Sequence, residues 1–319
     1  MKRILITGGT GFIGTNLTRR LLSAGHDVHL LLRPGYKSWR IDDIKKDLNL
    51  QIIDISDFRQ TIKLLKKVKP QWIFHLAAFG AYSTQTNLEN ILRTNVLGTV
   101  SLMEAASEVG CDAFINVGSS SEYGFKDHPP KETEWLEPNS HYALSKSYAT
   151  MFGRHLALSQ NKNIITLRPY SVYGPFEEPT RFIPTLIVKG LTGKLPPLVN
   201  PNVARDYIYI DDFVNACLLA ANKAHKHCGE IYNVGTGKQT SIKDAVNLIT
   251  KLLPIKDTPK WGAMKDRKWD TNVWVSDSRS IQKDLGFKAQ FTFQEGLQET
   301  LRWLNNNPAF LKRYQKDIS

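Results

Sequence analysis

Cysteine is scarce. Cys111, Cys217 and Cys228 are the only three in 319 residues, and no two form a C-x-x-C pair. An odd, widely spaced set offers neither a disulfide framework nor a cysteine-based zinc site, so reduced thiols in a cytosol are the expectation. Long apolar runs are missing too; none approaches the roughly 20 residues that span a bilayer. Met1, Lys2 and Arg3 lead straight into Ile4-Leu5-Ile6, too short for a signal core, which points to a soluble, cytoplasmic protein with no membrane partner. There is no internal repeat, low-complexity tract or flexible linker. Acidic residues are outnumbered 30 to 42, for a net charge of +12. The excess is scattered in pairs such as Lys45 and Lys46, Lys66 and Lys67, Lys312 and Arg313. Without an arginine-rich or aromatic-basic tract it reads as solvated surface, not a nucleic-acid interface. A basic chain does suit an anionic small substrate.

What is present is an alternation. Short apolar runs at Arg3–Ile6, Val28–Leu32, Gln51–Ile53, Trp72–Leu76, Ala113–Val117 and Ile164–Arg168 read as strands. Between them, Ile13–Ala24, Asp57–Lys67, Asn87–Val109 and Tyr142–Ser159 carry helical patterns. This predicts an α/β fold, a Rossmann-type doubly wound parallel sheet covered on both faces. Beyond about residue 170 the texture changes to prolines and short interleaved elements, including Tyr207–Ile210, Asp211–Ala221 and Ser241–Leu253. Segment Trp269–Asn305 ends in an amphipathic helix. The expectation is a dinucleotide-binding domain over 1–170 and a smaller mixed α/β substrate lobe over 171–319, with elements crossing back between them.

Gly8, Gly11 and Gly14 stand between the first strand and the first helix, in the string Gly8-Gly9-Thr10-Gly11-Phe12-Ile13-Gly14. The first glycine permits a sharp turn, the second lets a pyrophosphate approach the backbone, and the third allows close helix–sheet packing. The helix N-terminus offers free N–H groups to the anion. The second strand ends Leu32-Arg33-Pro34, with no acidic residue where NAD enzymes bond the adenosine ribose. A guanidinium can instead bind a 2′-phosphate. Arg33, helped by Lys37 and Arg40, therefore favours NADP(H), with NAD(H) the alternative. Asp54, with Ile55 after it, would bond the adenine or cap the next helix.

Tyr142 and Lys146 are spaced i and i+4, on one helix face about 5–6 Å apart at Cβ. A nearby ammonium lowers a tyrosine pKa from about 10 toward neutrality, so the phenol can exchange a proton with a carbinol or carbonyl oxygen. Ser119 is the first hydroxyl past strand Ala113–Val117, at a strand carboxyl end where ligands sit. The expected catalytic set is Ser119, Tyr142 and Lys146, with no metal.

Together these motifs resemble the extended short-chain dehydrogenases that act on nucleotide sugars. The resemblance is carried also by His75-Leu76-Ala77-Ala78, Asn95-Val96-Leu97-Gly98-Thr99, Arg168-Pro169-Tyr170-Ser171-Val172-Tyr173-Gly174-Pro175 and Ala204-Arg205-Asp206-Tyr207-Ile208-Tyr209-Ile210-Asp211-Asp212. It covers about residues 1–305. It implies that Phe12, Ile13, Leu76, Ala77, Ala78, Pro169 and Tyr170 border the cofactor and that Asn95 holds the cofactor-side helix. It implies that Arg205 and Arg267 clamp a nucleotide diphosphate. Phe79, Tyr82, Ser120, Ser121, Ser171, Phe182 and Trp269 would shape the sugar pocket. Relatives often carry Asn where Ser171 stands. Helices near 95–109 and 142–159 would form a homodimer interface.

Three reactions share such a scaffold: 4-epimerisation, 4,6-dehydration and 4-keto reduction. Dehydratases of this type carry Asp-Glu after the catalytic hydroxyl, where this chain has Ser120 and Ser121. Epimerases keep NAD, whereas Arg33 argues for exchangeable NADPH. The string Gly118-Ser119-Ser120-Ser121-Glu122-Tyr123-Gly124 is similar to that of 4-keto-6-deoxy-sugar reductases. The leading expectation is NADPH-dependent reduction of a nucleotide-linked 4-keto-6-deoxy (or dideoxy) sugar for glycoconjugate precursors. The alternative is an NAD-dependent nucleotide-sugar 4-epimerase. A non-catalytic NADP-binding regulator, or a reductase of small carbonyls, is a more distant reading.

Overall fold

The strands of the central sheet are short and apolar on both faces. The computed structural model of the chain describes residues 1–82, 84–264 and 271–318. The first half comprises β1 (Arg3–Thr7), α1 (Phe12–Ser23), β2 (Asp27–Leu32), β3 (Asn49–Ile52), α2 (Phe58–Val68), β4 (Trp72–His75), α3 (Leu88–Ile91), α4 (Gly98–Val109), β5 (Ala113–Val117), α5 (His141–Gln160) and β6 (Ile164–Pro169). The second half adds β7 (Ser171–Tyr173), α6 (Phe182–Leu191), β8 (Ala204–Arg205), β9 (Tyr207–Tyr209), α7 (Ile210–Lys223), β10 (Ile231–Val234), β11 (Thr240–Ser241), α8 (Ile242–Leu252), α9 (Arg279–Leu285), α10 (Phe293–Asn306) and α11 (Pro308–Ile318).

Seven strands form one parallel sheet in the order β10-β6-β5-β4-β1-β2-β3. Alternate residues feed two cores, as the period of a strand requires. Ile4, Ile6, Leu30, Phe74, Ile115 and Leu167 face the core that α1, α6 and α7 cover. Leu5, Leu31, Ile73, Phe114 and Ile164 face the one under α2, α4 and α5. The strand order reverses between β1 and β4, and the crevice at their carboxyl ends is where such sheets take ligands. The last strand of the sheet, β10, comes from the second half of the chain and pairs with β6, Ile231 opposite Thr166.

Three elements depart from the sequence reading. The helix expected over Asn87–Val109 is broken by a π-helical stretch, Leu92–Leu97, between α3 and α4. Its cause lies in tertiary contacts: the Asn95 side chain is tied to the backbone of Phe79, and Gly98 lies against Ile55 so closely that a Cβ would sit 2.7 Å from that side chain. Asp57, expected inside α2, is its N-cap and accepts the Gln60 N–H at 3.0 Å. A further helix, α11, follows the amphipathic α10. Pro308 opens it, at the position where a missing N–H costs nothing. Among the described residues no helix is long and apolar enough to cross a membrane.

Candidate functional site

The turn after β1 fits a dinucleotide. Gly8 has φ of 71°, in the region that favours glycine. A Cβ there would lie 2.7 Å from Ala77 N, and one at Gly14 would lie 2.2 Å from the Gly8 carbonyl. Gly11, the N-cap of α1, has no side chain to occupy the helix N–H groups, and the first turn carries no acidic residue. Phe12 and Ile13 pack partly against the core. A cradle that a Cβ would fill, aimed at an uncapped helix N-terminus, suits a pyrophosphate. Leu76 and Ala77 border this turn from the end of β4, and Ala78 beyond them is exposed.

The adenosine side follows the sequence reading only in part. Leu32 is buried and Arg33 is exposed, with no carboxylate beside it in the strand end. Lys37 is exposed as well. Arg40 is not available as the expected helper. It is 7% exposed, its Nε donates to the Phe176 carbonyl at 2.7 Å, and its Nη2 meets Glu178 at 3.0 Å. The segment after β2 folds back onto the loop before α6, which buries the guanidinium. Asp54 neither caps α2 nor stands free. Its Oδ1 accepts from Ser56 N–H and Oγ, and its Oδ2 pairs with Arg93 at 2.7 Å. Burial raises its pKa, but those donors outweigh it and hold the carboxyl below its ordinary range. Ile55 turns its side chain into the core beside Gly98.

A chain of buried hydrogen bonds links the glycine turn to the helix carrying Tyr142. Ala77 N–H donates to Thr7 Oγ1 at 3.1 Å, and Thr7 Oγ1 lies 2.7 Å from His75 Nδ1. His75 Nε2 lies 2.8 Å from Thr99 Oγ1, whose proton goes to the Asn95 carbonyl at 2.7 Å. Thr99 has spent its proton, so Nε2 of His75 carries the hydrogen and Nδ1 accepts from Thr7. Asn95 Nδ2 then reaches Phe79 O and Ser145 Oγ, both at 2.8 Å, and Ser145 donates to Tyr142 O at 2.7 Å. Asn95 thus braces the helix against the loop after β4. Burial, with Lys146 adding to it, pushes His75 down to about 3, so the ring is neutral at physiological pH.

Ser119, Tyr142 and Lys146 come together at the carboxyl end of β5. Ser119 lies close enough to the Tyr142 phenol to lower its pKa. Ser119 Oγ also accepts the Ser121 N–H at 3.1 Å, which leaves its own proton uncommitted by that bond. Lys146, one turn along α5 from Tyr142, is 2% exposed. The expected lowering of Tyr142 by Lys146 is not what the site does. Burial dominates and pushes the phenol up to about 12, with Ser119 opposing. Burial likewise lowers Lys146 to about 8, against the field of Glu122. Two groups in one low-dielectric site each favour their neutral forms.

The remaining expected residues spread along the cleft. Ser120 and Ser121 open a short 3-10 turn. Pro169 ends β6, and Tyr170, buried, donates its N–H to Val234 O and packs edge-on against Trp274 at 6.4 Å. Ser171 opens β7, which pairs with β9. Phe79 and Tyr82 are half-buried after β4, and Phe182 begins α6. Arg205 lies in β8 with its guanidinium over the Trp274 ring at 5.5 Å. Asp206 accepts from Thr236, Gly237 and Ser276 and ties their loops together. Arg267 and Trp269 lie outside the described residues.

Sequence reasoning missed two residues beneath the site and one beside it. Glu122 and Arg168, 0% and 1% exposed, form a buried ion pair at 2.8 Å. The signal was available: an arginine inside an apolar parallel strand demands a buried counter-charge. Arg181, at the N-cap of α6, lies near enough to oppose the rise in the Tyr142 pKa and sits 5.8 Å over the Tyr82 ring.

A glycine turn on a doubly wound sheet, with serine, tyrosine and lysine at the end of its fifth strand, defines the extended short-chain dehydrogenase/reductase class. Residues 4–235 match the NAD dependent epimerase/dehydratase family, and the chain belongs to it. It is 27% identical to dTDP-glucose 4,6-dehydratase of Salmonella typhimurium over 336 residues, covering 94% of this chain and 92% of that one. A trifunctional UDP-glucose 4,6-dehydratase/UDP-4-keto-6-deoxy-D-glucose 3,5-epimerase/UDP-4-keto-L-rhamnose-reductase of Arabidopsis thaliana is 27% identical over 328 residues. That match covers 96% of this chain but 47% of the plant protein, so the chain spans about half its length. Among solved structures, UDP-glucose 4-epimerase of Thermotoga maritima with UDP-glucose superposes with a TM-score of 0.86 at 25% identity, covering 96% of this chain and 99% of that one. UDP-glucuronic acid 4-epimerase of Bacillus cereus, with UDP-glucuronic acid and NAD, gives 0.84 at 25% identity, covering 95% and 99%.

Proposed function

We propose that the protein reduces the C4 ketone of a nucleotide-linked 4-keto-6-deoxy (or dideoxy) sugar with NADPH. The observation that carries this reading is the pairing of a Ser119–Tyr142–Lys146 site with Ser120 and Ser121, where a dehydratase needs an acid and a base. When bound, the reduced dinucleotide supplies the hydride that C4 accepts. Tyr142, a phenol held protonated by burial, gives its proton to the C4 oxygen. Ser119 donates a hydrogen bond to the same oxygen and polarises it. Lys146, still largely cationic at neutral pH with its pKa near 8, stabilises the phenolate left behind. Arg33 takes the adenosine 2′-phosphate, and Arg205 with Arg267 takes the diphosphate of the sugar nucleotide. Replacing Tyr142 with Phe should cut turnover by at least about 10²-fold while NADPH affinity holds; wild-type turnover in that variant would remove Tyr142 from the chemistry.

The second reading is a nucleotide-sugar 4-epimerase using NAD. Its support is the likeness to the two 4-epimerases above, at TM-scores of 0.86 and 0.84. Protein that purifies with NAD and interconverts 4-epimers without added reductant would favour it.

The homodimer belongs to the same proposal. Leu144, Tyr148, Met151 and Leu158 form an exposed apolar stripe along α5, and Leu88, Leu92 and Leu97 continue it on the neighbouring helices. A face this apolar on helices packed side by side suits a second copy of the chain.

A further inference from the structure

Glu122 sits at the junction of the three catalytic candidates yet faces no substrate space, being fully buried. Its Oε1 accepts the backbone N–H of Ser119 at 2.8 Å and the Thr150 hydroxyl at 3.0 Å. Its Oε2 accepts Arg168 Nε at 2.8 Å. Burial raises the Glu122 pKa, but Ser119 N–H and Arg168 Nε can only donate, and they and the Arg168 charge oppose that rise and favour the carboxylate. The fit leaves little room: a Cβ on Gly118 would come within 2.5 Å of Oε1. Arg168 is held in turn, donating from Nη1 to the Tyr123 hydroxyl at 2.8 Å, which donates to Asn233 Oδ1 at 2.8 Å.

Thr150 lies one helical turn beyond Lys146 on α5, so the two share a face. The carboxylate that takes the Thr150 hydroxyl therefore hangs over the face that carries Lys146. The charged and titratable groups acting on Lys146 are Glu122, from the turn after β5, and His75, from β4, which is neutral. Those acting on Glu122 are Arg168, from β6, and Lys146 itself, and Glu122 in turn helps to raise Tyr142, from the same helix as Lys146.

We infer that Glu122 is a positioning residue of this site: one oxygen fixes the direction of Ser119, and its fixed negative charge is the protein's own counter-charge to the Lys146 ammonium. This rests on the Ser119–Tyr142–Lys146 reading of the site. Burial alone would drive Lys146 further toward the neutral amine, and the field of Glu122 opposes that. Glutamine in place of Glu122 keeps an acceptor for Ser119 and Thr150 but removes the charge. Aspartate keeps the charge but withdraws it from Ser119.

The test follows the Lys146 amine directly. Protein carrying ¹³C at lysine Cε is titrated by NMR, and the Lys146 signal is assigned with Lys146→Met. In Glu122→Gln the midpoint should fall by at least about one pH unit, a tenfold loss of proton affinity. Glu122→Asp should hold the midpoint close to wild type while kcat falls at least about tenfold. If Glu122→Gln does not fold, because Arg168 is left unpaired, Glu122→Gln with Arg168→Met removes both charges together, and the midpoint should still fall, by less than in the single variant because the Arg168 cation is gone too. A midpoint within about 0.2 unit of wild type in either folded glutamine variant overturns the inference. The titration uses no substrate, so it does not depend on the reductase reading. That reading fails separately, when wild-type protein oxidises NADPH with no 4-keto sugar nucleotide.

Discussion

At the scale of single residues, the site is governed by what burial does to charge. Tyr142 and Lys146 are pushed toward neutrality in opposite directions, the phenol to about 12 and the amine to about 8. A phenol that keeps its proton fits a proton donor better than a resting base, which is the direction a ketone reduction needs. His75 shows the same physics in a structural role. The folded protein refuses the ring a proton until about pH 3, whereas an unfolded chain takes it near 6.5. Stability from this ring is therefore complete above about pH 6.5 and is lost at about 1.4 kcal/mol per unit as the pH falls from there toward 3. Denaturant titrations at pH 7.5 and pH 5 should show the wild type losing about 2 kcal/mol more between them than His75→Gln does. Equal losses would mean that the ring is already charged in the folded state or is not buried.

At the scale of elements, the turn between β1 and α1 is the part most legible from the chain. Its strand, glycines and helix are all local, and the structure gives each glycine a reason that a Cβ distance makes explicit. Gly11→Ala separates binding from folding. Its methyl would meet only the Gly8 carbonyl, at 3.1 Å, and its φ of −79° suits alanine. The fold should survive, with the melting temperature within a few degrees, while NADPH affinity falls at least about tenfold because the pyrophosphate loses its approach. Fluorescence titration against a thermal melt checks both, and an unchanged affinity would place the diphosphate elsewhere. What the chain did not reveal is whatever depends on partners far away in sequence. Asp54 read as a possible cap although Asp57 caps the helix, and its pairing with Arg93, 39 positions distant, left no trace in the local sequence. Arg40 read as a cofactor cation because Phe176 and Glu178, its partners in the structure, are 136 and 138 positions away. The π-helical stretch at Leu92–Leu97 keeps a helical apolar pattern, so what distinguishes it is the tie from Asn95 to Phe79 and the approach of Gly98 to Ile55. Strands β8 and β11, two residues each, are too short to display any period.

At the scale of the whole molecule, the second half of the chain reaches back to the sheet beneath the candidate site. Strand β10 completes the sheet from the second half of the chain, and Asn233 within it holds the Tyr123 hydroxyl under the Ser119 turn. The exposed apolar face of α5 is where a partner copy is proposed to sit. Replacing Leu144 and Met151 together with Glu should convert a dimer into a monomer by light scattering, with the fold intact, since both side chains are more than half exposed. A wild-type monomer at micromolar concentration would remove that interface. The site is proposed to consume one hydride from NADPH for each sugar it changes. The direct measurement is the stoichiometry of NADPH oxidised to product formed, with a panel of nucleotide-linked 4-keto sugars offered with NADPH and with NADH. The expected result is one NADPH per reduced sugar, with NADPH preferred to NADH. Sugar turnover with no net oxidation of either dinucleotide would contradict it and make the protein an epimerase.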